Sequence, residues 1–244
     1  EDADAPPTAP TATGTYAVAI GDNSTASGIR ATAIGGATCS GNSESIAIGS
    51  GAVSSANVST AIGPNSDATS AGSLAIGYSA QAVTGSYATA VSRAYASGAD
   101  SLAAAIANNS SSYGATGSNS IAIGRSSKAT GSTSFAFGGW INASGTYAFG
   151  IGDSSTASGN YSYAIGSSNT ASHTASVVIG KGASSSASDQ ITLGHTNQTV
   201  RISSAYTLPT SDGTNGQVLT TDGSGAVTFA DAGGGGGADL YAAN

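Results

Sequence analysis

One triplet recurs along this chain at a fixed interval, and that interval limits the fold more than any other feature. In "SESIAIGSGAVSSANVSTAIG" (43–63), Ala47-Ile48-Gly49 returns fourteen residues later as Ala61-Ile62-Gly63. With the third apolar residue as marker, the copies fall at Ile20, Ile34, Ile48, Ile62 and Ile76, each step fourteen. The best continuations are Val91, Ile106 and Ile123, at steps of fifteen, fifteen and seventeen. The fourteen-step resumes at Phe137, Ile151, Ile165, Ile179 and Leu193, which makes thirteen copies. One copy is ambiguous, because "TYAFGIG" (146–152) offers two triplets.

Fourteen residues are too few for helical, propeller or ankyrin repeats, which need roughly 20–50 per unit. The local chemistry is that of short strands. "SIAIG", "SLAIG", "SFAFG" and "SYAIG" are β-branched or aromatic and close on Gly. Two short strands and two tight turns fill one repeat, so the expected fold is all-β: a parallel β-solenoid, or roll, of fourteen-residue coils. Coils stack about 4.8 Å apart. The other half of the repeat, "STASG" (24–28 and 155–159), is rich in residues that accept positive φ. Its Ala26 and Ala157 are expected to point inward, and Ser54, in the corresponding stretch, is read as lying on the polar side.

Side chains alternate faces along a strand. One face carries Val18/Ile20, Thr32/Ile34, Ile46/Ile48, Ile62, Leu74/Ile76, Ile121/Ile123, Phe135/Phe137, Ile151, Tyr163/Ile165, Val177/Ile179 and Leu193; the other carries Ala19, Ala33, Ala47, Ala61, Ala75, Ala122, Ala136 and Ala164. A strand apolar on both faces is normally covered on both. A coil this thin has one inside, so the second face is expected to meet copies of the same chain, with cyclic symmetry. The period alone does not give the number of copies.

Only 8% of the 244 residues are charged, the net charge is −7, and the six basic residues are scattered in sequence (Arg30, Arg93, Arg125, Lys128, Lys181, Arg201). No basic stripe is visible, so nucleic acid is not an expected partner. No apolar run approaches the roughly 20 residues that span a bilayer, so membrane insertion by this segment is not expected. Met is absent, so residue 1 is not expected to be a translation start. The chain is expected to be one piece of a longer polypeptide, continuing past Asn244 either into another roll of a tandem array or into a fibre tip of a different kind. The single Cys39, in "ATCSG", stands near where other repeats have Ala and is expected to be a small core residue.

Four segments are expected. Residues 1–13 are a Pro-rich linker, 14–194 the roll, 195–231 a strand and a β-hairpin (217–221 and 226–230), and 232–244 a Gly-rich joint closed by an apolar plug at Leu240 and Tyr241.

No catalytic set emerges. His173 and His195 each stand alone in Ser/Thr-rich surroundings, and a surface position is expected for both. No spacing fits a zinc or calcium site, and no Ser lies in a nucleophile elbow. The expectation is a non-enzyme with no cofactor and no metal. A carbohydrate-active enzyme needs paired carboxylates, and the thirteen acids are dispersed. An ice-binding solenoid needs a regular Thr array, and the row reads Val18, Thr32, Ile46, Thr60, Leu74. The irregular coils between Val91 and Ile123 are expected to bulge. Asn108, Asn109, Tyr113 and Asn119 are the candidate ligand contacts there, since loops on rigid scaffolds carry function.

"AIGDNSTASGIRATAIG" and "AIGSSNTASHTASVVIG" resemble the head repeats of YadA-type trimeric autotransporter adhesins, over about residues 14–194. The resemblance implies a left-handed parallel β-roll, a side-by-side homotrimer locked by the apolar stripe, a host-facing extracellular surface and no enzyme activity. The basic neck of that family is not recognisable after Gly194, and "TLPTSDGTNGQVLTTDGSGAVTFADAGGGGG" (207–237) looks like connectors of phage tail fibres. The expected role is therefore an adhesive segment of a long extracellular fibre, on a virion or a cell surface. Expected partners are two further copies of the chain, a cell-surface glycan or protein receptor, and a next module of the same fibre.

Overall fold

In a computed structural model of the chain, residues 8–41, 43–104, 112–195, 197–198, 201–202, 206–207, 209, 212–224 and 226–232 are described. Two compact units follow each other, Glu1–Thr192 and Leu193–Asn244. The described residues are all β, with no helix.

The first unit is a parallel solenoid. Each coil contributes one strand to a wide sheet of thirteen strands and one to a narrow sheet of twelve. Wide-sheet strands are three residues long from Val18–Ile20 onward and lengthen to five from Phe135–Gly139 to Val177–Lys181. Narrow-sheet strands, such as Thr25–Ala26 and Thr156–Ala157, have two residues. The strands are shorter than the repeat unit suggests, because the corners take the remaining residues. A first corner leads from the wide strand to the narrow one, and a second corner leads back. The narrow sheet begins at Thr11–Ala12, inside the segment expected as linker, where it pairs with Thr25–Ala26.

The interior is a column of alanines. Ala33, Ala47, Ala61, Ala75, Ala122, Ala136 and Ala164 of the wide sheet, and Ala26, Ala68, Ala129 and Ala157 of the narrow sheet, are all 0% exposed. A roll this thin has room for little more than a methyl from each wall. Cys39 sits in this column in register with Ala26, as expected of a small core residue. Ser54 corrects the sequence reading. It is buried in the same column, in register with Cys39 and Ala68. Its hydroxyl contacts Ser59 Oγ at 2.6 Å and donates to Ser59 O at 2.9 Å, so burial leaves no orphan.

In several coils the Ser that precedes the wide strand closes the second corner. Ser73, Ser101, Ser120 and Ser176 each donate to the carbonyl three residues back, at 2.6–2.7 Å. The first corner uses a different lock. Buried Asn169 donates to Ile165 O and Gly180 O and accepts from Ala183 N, so it ties its own coil to the next. Ser127, one position of the same ladder, donates to Gly138 O at 2.6 Å.

The irregular coils differ from the expected spacing. Val91 pairs with Ala104, and Ala104 with Ile123, so the marker position belongs to Ala104 rather than Ile106. Ile106 itself lies outside the described residues. The steps are thus fifteen, thirteen and nineteen. The surplus collects in the first corner that follows Leu102–Ala104, because the strands themselves keep register.

In the second unit, Arg201–Ile202 pairs antiparallel with Tyr206–Thr207. Gln217–Thr221 pairs antiparallel with Val227–Asp231, one residue later than the expected 226–230. Asp222 Oδ1 accepts from the amides of Ser224 and Ala226, which holds Ala226 in the turn. The pentaglycine and the expected plug at Leu240 and Tyr241 lie outside the described residues.

Candidate interaction surface

The alternation places Ile on the outside wherever Ala is inside. Parallel register stacks the outward residues of the wide sheet into two rows. One row runs Val18, Thr32, Ile46, Thr60, Leu74, Thr89, Leu102, Ile121, Phe135, Phe149, Tyr163, Val177. The other runs Ile20, Ile34, Ile48, Ile62, Ile76, Val91, Ala104, Ile123, Phe137, Ile151, Ile165, Ile179. Leu193 follows on the last wide strand, Ile191–Leu193.

Every stripe residue singled out in the sequence lies on this outward face, and none is buried in the single chain. Ile20 is 55% exposed, Phe137 47% and Tyr163 43%. Leu102 and Phe149 belong to the same rows. Leu102 was hidden by counting the period to Ile106, and Phe149 by the double triplet. Register settles the latter: Phe149 pairs with Phe135, Ile151 with Phe137, and Gly150 takes the inward place of Ala136.

The face changes character along the roll. Its early coils mix Ile, Leu, Val and Thr. Its later coils carry an aromatic stack, with Phe135 and Phe149 centroids 4.9 Å apart and nearly parallel, and Phe149 and Tyr163 5.7 Å apart. A contiguous apolar surface of this extent on one chain marks an interaction site.

The expected ligand residues are not brought together. Asn108 and Asn109 lie outside the described residues. Tyr113 is half-buried at the first corner, whereas Asn119 is exposed at the second, with φ 55°. His173 is not a plain surface residue: it is half-buried, with Nδ1 3.0 Å from Ser185 Oγ. His195 is exposed. Among the described residues, no group of three His, Cys, Asp or Glu side chains converges on a point where a metal could sit.

No curated protein matches the chain. The YadA head domain repeat matches it at residues 12–38, 42–66, 115–139, 143–162 and 157–183. The matches leave out 67–114, where coil length varies, although the described strands there continue in register. The matched segments of the roll are therefore YadA-type head repeats.

Proposed function

We propose that the chain is a non-enzymatic, homotrimeric head of an extracellular adhesive fibre, in which three rolls pack through their wide-sheet faces. One observation carries this reading: the outward row from Ile20 to Ile179 is apolar over twelve successive coils, its neighbouring row departs from this only at Thr32, Thr60 and Thr89, and the inward positions are already filled, mostly by Ala. Covering a Val- or Ile-sized side chain contributes about 1.5–3 kcal/mol, and the stripe repeats that contribution in each of three chains. The YadA head repeats support the trimeric adhesin reading, with the roll displayed on a surface.

A tail-fibre setting is a second reading. It is favoured by the C-terminal unit, whose described residues form two antiparallel pairs instead of a heptad stalk. Both settings require the same assembly. Light scattering at micromolar concentration is expected to return three times the chain mass of 23.0 kDa. A stable folded monomer at that concentration overturns the proposal.

A further inference from the structure

The second corner carries a feature that the strands do not dictate. One of its positions runs, coil by coil, Thr133, Tyr147, Tyr161, Ala175, Asp189. The backbone keeps this row in register: Tyr147 N donates to Ser132 O, Tyr161 N to Thr146 O, Ala175 N to Asn160 O and Asp189 N to Thr174 O, at 2.8–3.0 Å. The rings of Tyr147 and Tyr161 lie 5.0 Å apart and within 10° of parallel. That separation is about one coil, so the rings stack along the axis. They are 47% and 54% exposed. The corner itself demands no ring, since Thr133 and Ala175 adopt the same positive φ.

The stack stops after two rings. Ala175 puts only a methyl on the next coil, and Asp189 follows one coil later. About 10 Å therefore separates the coil of Tyr161 from that of Asp189. Tyr147 covers one side of the Tyr161 ring, and the other side borders this gap. Asp189 is exposed, and among the described residues neither its carboxylate nor either phenol hydroxyl has a partner. Asn160, beside Tyr161, accepts through Oδ1 from Thr146 N at 3.0 Å and keeps its amide N–H groups as donors. The other tyrosines of this row lack the gap, because Arg30 follows Tyr16 and Asp100 follows Tyr87 on the very next coil.

We propose that this gap binds one pyranose of an uncharged glycan. A pyranose has a face of C–H groups, which lies on an aromatic face at about 4 Å. On Tyr161 the sugar takes the place of the missing third ring, and adjacent hydroxyls at its edge meet Asp189. A carboxylate accepts two hydroxyl donors at once, and such charge-assisted bonds are short and strong. An acidic sugar sets like charge against Asp189, on a chain of net charge −7. An aromatic side chain of a peptide fits the stack but gives the carboxylate at most one donor. The inference rests on the reading of the roll as an adhesive head and names the class of its ligand. It requires the second corner to stay open in the trimer.

Isothermal titration calorimetry of the full chain tests it with oligosaccharides of glucose, of galactose and of mannose, a polyuronate of equal length, and an uncharged tyrosine-containing peptide. Saturable binding is expected with at least one of the three neutral oligosaccharides, and with neither the polyuronate nor the peptide. Tyr161→Ala and Asp189→Asn are each expected to raise its Kd about tenfold or more. Ala175→Tyr continues the stack with a residue that this corner already accepts, and is expected to abolish binding by filling the gap. Tyr87→Ala, in the same row on distant coils, is expected to shift Kd less than about twofold. Light scattering on every preparation keeps the two ideas apart. Binding lost at intact trimer mass supports the site, and a monomeric wild-type chain that still binds supports the site while overturning the assembly. No saturable binding of any neutral oligosaccharide, an equal Kd for the polyuronate or the peptide, unchanged binding in the Ala175 variant, or equal loss in the Tyr87 variant each overturn the proposal.

Discussion

At the scale of single residues, the column of alanines is adjusted by compensating exceptions. Among the described residues, Ile141 is the largest fully buried side chain of the roll, at 1% exposure, and it fits because Gly150 replaces the usual Ala in the next coil. A Cβ at residue 150 would lie 2.5 Å from Ile141 Cγ2. Gly150→Ala is therefore expected to cost about 1–3 kcal/mol by overpacking, and Ile141→Val in the same chain to recover part of it. Chemical unfolding of both single variants and the double variant measures that coupling. Asp67 is a different exception. Burial pushes its carboxyl above the ordinary value of 3.8, and a hydrogen bond from Gln81 offsets this in part. A raised carboxyl binds its proton more tightly in the folded state, so its penalty is absent below pH 3.8 and develops as pH rises through the raised value. Asp67→Asn is expected to raise Tm near pH 7 and to leave it unchanged near pH 3. Thermal unfolding of the pair across that range checks the sign.

At the scale of one coil, the corners bear the strain. The second corner repeatedly places a residue at positive φ, and Tyr16, Arg30, Glu44, Val58 and Tyr87 all occupy this position. Val58 is the least suited, since a β-branched side chain is an outlier at φ 56°. Val58 is 57% exposed and contributes little packing. Val58→Asn is expected to stabilise the roll by about 0.5–1 kcal/mol, read as a higher denaturant midpoint. The Gly that ends "SKATG" has the opposite tolerance. A Cβ at Gly131 would overlap the Gly145 carbonyl oxygen of the next coil. Gly131→Ala is expected to push two coils apart and lower that midpoint by more than the Val58 change raises it.

For the whole molecule, assembly is the property to test by substitution. Ile48 stands in the middle of an outward apolar row, half-buried before any partner arrives. Ile48→Asp puts a charge where the proposed partner rolls pack, and an unpaired buried charge costs several kcal/mol. The matched control is Ser55→Asp, because Ser55 is exposed on the narrow-sheet side, whereas its neighbour Ser54 is sealed inside. The Ile48 variant is expected to fall to lower mass at micromolar concentration while the Ser55 variant keeps the wild-type mass; equal masses would remove the stripe from the interface.

Much of this was legible in the sequence, because a solenoid is specified coil by coil. A fourteen-residue period, strand-forming triplets and Gly-Ser turns name a parallel roll, and period-two alternation sorts Ala from Ile before any coordinate is known. The place of Cys39 follows from the same alternation. Other features needed the tertiary structure, because a corner absorbs a gained or lost residue without moving the strands. Counting from Val91 therefore lands on Ile106, while backbone pairing selects Ala104. Ser54 reads as polar and outward, yet a two-residue strand turns its second side chain inward, where a hydroxyl can bond to Ser59. The placement of Arg93 and Arg125 is the clearest case, with Arg93 5.6 Å from the centroid of the Tyr78 ring and Arg125 3.5 Å from that of Trp140. Thirty-two residues separate the two in sequence, and the period gives no reason to connect them. Stacking leaves a single coil between them, and only that stacking sets each cation over its ring.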